Sequence, residues 1–155
     1  MKKLLLLLLL TTLISCGGYE STAVSIEPVE KVFQLDQDKS DLYIKANQWM
    51  VENFGSAEEV IQFSDKESGV VTGKYLIGET FRKEGYAVRP VYAIIKAQVK
   101  DGAAKLSIDP EEYIYTTGFG HAPQYVITES DVRNSIEQLM SSFEIYMNQE
   151  IDTDW

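Results

Sequence analysis

The sequence predicts one α+β domain, with helices on one side of an antiparallel sheet. Two segments, near the two ends of the folded region, have apolar residues at the helical period. Between them, several segments alternate apolar and polar residues at period two, and turn sequences such as Asp101-Gly102 separate them. A meander of strands flanked by helices gives a sheet layer with a helix layer packed on it.

Residues 1–15 have the features of a lipoprotein signal peptide. Lys2 and Lys3 precede a leucine run that is well short of the roughly 20 residues needed to span a bilayer. The segment Leu13-Ile14-Ser15-Cys16-Gly17 resembles the lipobox of bacterial lipoproteins, in which the cysteine thiol is joined to diacylglycerol and the signal is removed before it. We therefore predict lipidation at Cys16. The alternative is an ordinary signal peptide with a cysteine at this position by chance.

Lipidation of Cys16 bears on redox chemistry and on charge. Cys16 is the only cysteine, so a mature lipidated chain has no thiol for disulfides, nucleophilic catalysis or metal binding. Loss of Lys2 and Lys3 changes the formal net charge from −10 to −12. Such a charge opposes binding to nucleic acid and to anionic lipid. We expect acyl chains to hold the protein on the outer membrane, facing the periplasm.

The polar, aperiodic residues 16–28 predict a lipidated, flexible tether, and the folded domain is expected at residues 29–149. Its first strand is predicted at Val29–Leu35. The aspartates between positions 36 and 41 are interpreted as turn and capping residues. The glycine and glutamate that a calcium loop needs at its sixth and twelfth positions are missing, so no metal site is predicted.

The first helix is predicted to begin at Ser40, acting as N-cap, and to end before Gly55. Lys45 is assigned to its polar side. Its apolar stripe consists of Leu42, Ala46, Trp49, Met50 and Phe54.

Strands are predicted at Val60–Phe63 and Val70–Phe81, with Gly69 at positive φ in the turn and Gly73 at a bulge or a close backbone approach. From Val91 to Val99, odd-numbered residues are expected inside and even-numbered residues outside. After the Asp101-Gly102 turn, Leu106 and Ile108 continue inward, Pro110 interrupts the strand, and pairing resumes at Tyr113–Tyr115.

The second helix is predicted at Thr128–Gln149, with Thr128 and Asp131 forming a capping box. Residues 150–155 are predicted to be an acidic tail, whose Trp155 has two interpretations: a docking peptide or a frayed end. The apolar stripe of the helix consists of Val132, Ile136, Leu139, Met140, Phe143 and Met147.

One resemblance makes the fold more specific. The residues that carry it are Leu42-Tyr43, Ala46, Trp49, Phe54, Val60-Ile61-Gln62, Asp65-Lys66-Glu67, Gly69 and Gly73. They are similar to a bacterial family catalogued as a domain of unknown function with a TBP-like fold, common in envelope lipoproteins, and the likeness extends over Val29–Thr117. The resemblance implies a β-α-β(4)-α order and a curved antiparallel sheet with helices packed on one face. It implies no activity, because the family has none assigned.

The favoured function is a non-catalytic binding or assembly module of the cell envelope, with a protein or glycan partner and no nucleic acid. In TBP-like domains the interaction surface is the sheet face opposite the helices. The candidate residues are Lys74, Leu76, Tyr92, Ile94 and Lys96, with Lys100 beside them. The alternative is that they are ordinary strand residues that face water.

Two other functions stay open. Related folds hold apolar ligands between a curved sheet and a C-terminal helix, where Met140, Phe143 and Met147 would line the cavity. An envelope hydrolase is the least favoured, because the chain has one histidine, His121, and no nucleophile, phosphate-loop or metal motif. The adjacent pairs Glu58-Glu59 and Glu111-Glu112 would point to opposite sides of a strand. No catalytic residue and no cofactor is predicted.

Overall fold

The computed structural model describes residues 20–54, 61–82, 89–117, 123–125 and 127–150. Its elements are β1 (Glu20–Val24), β2 (Val29–Gln34), α1 (Lys39–Phe54), β3 (Ile61–Asp65), β4 (Val70–Arg82), β5 (Arg89–Lys100), β6 (Ala103–Pro110), β7 (Tyr113–Thr117), β8 (Pro123–Tyr125) and α2 (Glu129–Asn148).

The main sheet is antiparallel and has the strand order β2-β6-β5-β4-β3. Strand β2, α1, strands β3 to β6 and α2 follow one another in the predicted β-α-β(4)-α order. Strands β1, β7 and β8 are additional, and β8 pairs with the end of β4 at Phe81 and Arg82. Asp101 and Gly102 join β5 to β6, and Gly102 has a φ of 75°. Gly69, in the turn before β4, has a φ of 72°. Both predicted turns are confirmed.

The flexible tether was predicted to extend to Pro28, and the structure corrects this. Strand β1 pairs antiparallel with β7 in a separate two-stranded sheet, and Ile26 is buried in the core. Thr22, Val24 and Ile26 alternate with small residues, which is a strand pattern. The pattern is short and lies among small polar residues. The strand with which the segment pairs lies about 90 residues further along the chain, so local sequence did not identify the pairing.

Helix α1 has the predicted core side, since Leu42, Ala46, Trp49 and Met50 are fully buried and Phe54 packs against them. Its N-cap lies two residues before the predicted one. The helix begins at Lys39, and the Asp38 carboxylate accepts a hydrogen bond from the Asp41 N–H at 2.9 Å. Asp38 therefore is the N-cap, and the prediction for Ser40 is wrong. A carboxylate at this position also interacts favourably with the positive end of the helix dipole.

Lys45 is buried, although its charge predicted a place on the polar side. Its ammonium donates hydrogen bonds to the carbonyls of Met147, at 3.1 Å, and of Gln149. The last carbonyls of a helix accept no hydrogen bond within the helix. They can therefore accept from the buried ammonium and replace the water that it loses on burial. Burial lowers the pKa of Lys45, and the carboxylates of Asp41 and Glu150 oppose that shift.

Helix α2 matches its prediction closely. Thr128 is the N-cap, its hydroxyl accepts from the Asp131 N–H at 3.2 Å, and its own N–H donates to the Asp131 carboxylate at 2.8 Å. All six residues of the predicted stripe are buried. The Phe143 ring lies 4.9 Å from the Trp49 ring and 5.5 Å from the Phe33 ring, measured between centroids. Phe143 thus joins α2, α1 and β2 in one core.

Both helices contact the same side of the sheet. Alternate residues of β5 point into the core, and the predicted set is confirmed: Val91, Ala93, Ile95, Ala97 and Val99 are buried. In β6, Leu106 and Ile108 are buried in the same way. The strand ends at Pro110, as predicted. The opposite side of the main sheet, called the outer face below, carries the even-numbered residues of β5.

Gly73 was predicted to mark a bulge or a close backbone approach in its own strand, but it pairs in register with Ile95. The irregularity lies in the neighbouring strand β3, whose pairing with β4 shifts between Ile61 and Phe63. Several predictions concern residues outside the described ranges: Cys16, Gly55, Glu58-Glu59, His121 and the tail from residue 151 onward. Within the described residues, no helix combines the length and the apolar character needed to cross a membrane.

Replacing Phe143 with Ala should lower the free energy of unfolding by about 3–5 kcal/mol, because it removes the ring that contacts both helices and the sheet and leaves a cavity there. The matched control is Ile145→Ala on the same helix, where the side chain is 61% exposed and the expected change is within about 0.5 kcal/mol. Chemical denaturation monitored by circular dichroism measures both values. Equal stabilities for the two variants would contradict a structural role for Phe143.

Candidate interaction surface

The outer face brings the predicted interaction residues together. In the β4–β5 register, Lys74 is directly opposite Ile94 and Leu76 is directly opposite Tyr92. Residues in such pairs project from the same side of the sheet. Lys96 is two positions from Ile94 on β5 and therefore projects from that side as well. All five candidate residues thus lie on one surface, opposite the helices.

Apolar side chains reach the solvent across this face. Leu76 is 37% exposed, and Tyr92 and Ile94 are half-buried. At one edge Phe63 projects from β3 and is 54% exposed. At the other edge Val32 projects from β2 and is 55% exposed. Sequence patterning missed both edge residues, because their strands had no assigned register.

Lys74 is held in a defined position. Its ammonium lies 2.6 Å from a Glu111 carboxylate oxygen and 4.6 Å from the centre of the Tyr92 ring. The ion pair and the cation–π contact reduce the number of conformations that Lys74 can adopt. Glu111 therefore belongs to the surface, and the long side chain of Lys74 lies along Tyr92. From the sequence, Glu111 is notable only as the neighbour of Glu112 in a pair of adjacent carboxylates.

A second polar cluster lies toward β2. The Ser107 hydroxyl donates a hydrogen bond to a Glu30 carboxylate oxygen at 2.6 Å, and the Lys105 ammonium is 3.4 Å away. The hydrogen bond from Ser107, the charge of Lys105 and, to a smaller extent, that of Lys96 lower the pKa of Glu30. Beside this cluster is a shallow groove of about 360 Å³, whose lining includes Val32, Lys100 and Lys105.

The charges on the outer face are mixed, although the whole chain has a formal net charge of −10. Lys74 and Lys105 are paired with carboxylates. Lys96 and Lys100 are exposed, and within the described part of the chain neither makes an ion pair. The described residues also include no group of three or more His, Cys, Asp or Glu side chains arranged to hold a metal ion.

The three candidate cavity residues have different environments. Met140 lines an open groove of about 440 Å³ between β2 and α2, together with Val29 and Ile136. Phe143 and Met147 are fully buried, and Phe143 is in ring contact with Phe33. Both side chains are part of the packed core that joins α2 to the sheet.

Residues 30–113 match the family described as "Domain of unknown function (DUF4468) with TBP-like fold". The chain belongs to this family. The match begins in β2 and ends at the start of β7, so it includes α1, the outer face and the five strands of the main sheet.

Solved structures with the TBP-like fold resemble the chain at low sequence identity. A TBP-like protein from Parabacteroides distasonis is 14% identical with a TM-score of 0.46, covering 86% of this chain and 95% of that one. A member of the same family from Bacteroides ovatus is 16% identical with a TM-score of 0.41, covering 77% and 78% of the two chains. No curated protein matches the chain.

The Glu30 cluster should make stability depend on pH. Because the pKa of the folded-state carboxylate lies below its ordinary value of 4.5, the ionised group stabilises the fold above that pH. This contribution is lost as the pH falls through the folded-state pKa. Wild type should therefore exceed Glu30→Gln in stability at neutral pH, and the difference should shrink below pH 4.5.

Denaturant titrations of both proteins over this pH range measure that difference. Ser107→Ala is the matched variant, because it removes the hydrogen-bond donor and keeps the carboxylate. It should reduce the same pH-dependent difference. A gap between wild type and Glu30→Gln that stays constant with pH would contradict the assignment.

Proposed function

We propose that this TBP-like protein is a lipid-anchored, non-catalytic binding module of the cell envelope, with the outer face as its docking surface. The observation that carries the proposal is the grouping of Lys74, Leu76, Tyr92, Ile94 and Lys96 on one accessible side of the sheet. The helices, which bury the opposite side, leave this surface to a partner.

The chemistry of the outer face suits a protein partner or a glycan. Exposed apolar side chains supply area that a partner can bury, and a tyrosine is a frequent anchor in interfaces. Lys74 is already held against Tyr92 by Glu111, so binding costs less side-chain entropy there than at an unrestrained lysine. Lys96 and Lys100 are available to anionic groups, such as carboxylates of the partner.

The proposed anchor sets a limit on how the domain is displayed. Strand β1 begins at Glu20, four residues after Cys16. If Cys16 is lipidated, this length of chain spans at most about 14 Å. The domain would then stay close to the bilayer surface, where its partner would be another envelope component. A net charge of −12 for the mature chain disfavours nucleic acid and anionic head groups.

Replacing Cys16 with Ala should release the protein from the membrane, because no acyl chain can be attached. The measurement is fractionation of a Gram-negative host that expresses the full chain, with incorporation of labelled palmitate as the direct readout. A matched control is Ser15→Ala, which keeps the cysteine and should keep both the label and the membrane fraction. An unlabelled wild type, or a Cys16→Ala chain that stays membrane-bound, would refute the anchor.

The double variant Tyr92→Ser and Ile94→Ser should lose partner capture by the outer face, since it removes two of its apolar side chains. A photo-crosslinking amino acid at Leu76 reports on that face in intact cells, and the same group at Ile145 on α2 reports on a surface away from it. The double variant should reduce discrete products from position 76 severalfold and leave those from position 145 unchanged. Equal products from position 76 with and without the double variant would contradict the proposal, provided that thermal unfolding shows both proteins folded.

A further inference from the structure

Strand β2 has one unpaired edge in the described part of the chain, where it pairs only with β6. The Leu35 N–H donates to the Gly102 carbonyl at 2.9 Å, in the same register as the β2–β6 ladder. Odd-numbered residues of β2 therefore direct their backbone groups toward β6. The even-numbered residues Glu30, Val32 and Gln34 direct theirs to the open edge.

This edge has few of the features that keep strands apart. The six residues of β2 contain no proline, and the register with β6 shows no bulge. Val32, at the centre of the edge, is 55% exposed. The other edge strand of the main sheet, β3, is different because its pairing with β4 is interrupted by a bulge. An open groove of about 440 Å³ lies between β2 and α2 at Val29–Lys31, and α2 reaches the strand there through the Glu144–Lys31 ion pair.

We propose that β2 pairs antiparallel with β2 of a second copy of this chain, with Val32 on the two-fold axis. In this register Val32 faces Val32 of the second copy, Glu30 faces Gln34, Lys31 faces Phe33, and Val29 faces Leu35. The pairs whose side chains are exposed are Val32 with Val32, which is apolar, and Glu30 with Gln34, which joins a carboxylate to an amide. Such cross-strand pairs stabilise antiparallel sheets.

The alternative two-fold registers are less favourable. A shift of the axis to Lys31 places the two Lys31 side chains opposite each other, and like charges in facing positions destabilise a sheet. A shift to Phe33 pairs only Val32 and Gln34 among the edge-facing residues, because the position opposite Glu30 then lies beyond the end of β2. Charge and hydrogen bonding together therefore select the register that is centred on Val32.

Backbone hydrogen bonds are fully accounted for in that register. Glu30, Val32 and Gln34 of each copy present three N–H and three C=O groups, so two strands form about six interchain hydrogen bonds and leave no edge-facing group unpaired. The two main sheets become one continuous sheet, with all helices on the same side.

Lys31 is the residue that could oppose pairing, since inward-pointing charges on an edge strand are a known means of preventing it. Here its ammonium is already 2.7 Å from a Glu144 carboxylate oxygen and 4.8 Å from the centre of the Phe33 ring. Because the Glu144 carboxylate belongs to the same copy, the charge of Lys31 stays paired when the edge is covered.

The mass of the full chain in a density-matched detergent, measured by sedimentation equilibrium, tests the dimer. Wild type should have the mass of two chains, and Val32→Lys should weaken dimerisation by roughly tenfold or more, because two ammonium groups then meet on the axis. Phe63→Lys is the matched control: Phe63 also lies on the outer face of an edge strand and is 54% exposed. This variant should remain dimeric.

A wild-type mass of one chain would overturn the proposal. So would a dimer that survives Val32→Lys, because its interface would then lie elsewhere. Neither result depends on lipidation or on partner capture, which the Cys16 and Tyr92 variants test separately.

Disulfide trapping tests the register. Val32→Cys should give a covalent dimer on mild oxidation in membranes, because directly facing residues have Cα atoms about 5.5 Å apart, within the range for a disulfide. Phe63→Cys is the control for random collisions, and the wild-type chain is the blank for Cys16. If Val32→Cys gives no more dimer than Phe63→Cys, the register centred on Val32 is wrong.

Discussion

The contact of Trp49 with Phe143 is the interaction on which the rest of the structure depends. Their rings meet edge to face with centroids 4.9 Å apart, and the Trp49 N–H donates to the Ser142 hydroxyl at 3.0 Å. Each aromatic side chain buries a large area, and the indole N–H keeps a partner. Because Phe143 also packs on Phe33 of β2, this one contact holds both helices to the same side of the sheet. The opposite side is accessible as a consequence.

Lys45 shows how the two helices are aligned along their axes. Its ammonium reaches the C-terminal carbonyls of α2, where the Gln37 side-chain amide also donates to Met147 at 3.0 Å. Gln37 in turn accepts a backbone hydrogen bond from Gly102 at 3.0 Å, so the end of α2, the start of α1 and the β5–β6 turn meet at one point. A buried cation with these acceptors specifies one alignment, because any slip of α2 would leave the ammonium without its carbonyls.

Local patterns predicted the main sheet and both helices, whereas contacts between distant segments were not predictable. The alternation in β5 and the stripe of α2 follow from side-chain periodicity, which each segment carries by itself. The pairing of β1 with β7, the burial of Lys45 and the Lys74–Glu111 ion pair join residues that are far apart in sequence. On the outer face, periodicity selected Tyr92, Ile94 and Lys96. The exposed edge residues Val32 and Phe63 required the register of β2 and β3.

The outer face and the edge of β2 meet at Val32, and this links the two proposals physically. Val32 projects from the outer face while its backbone groups point to the open edge. Pairing of two copies at this strand would join two outer faces into one surface and double the number of Tyr92 and Lys96 side chains available to a partner. An extended or repeating partner that contacts both copies would then gain affinity from linked binding events, without a new contact in either domain. The lipid anchor proposed at Cys16 would, in each copy, orient that surface with respect to the membrane.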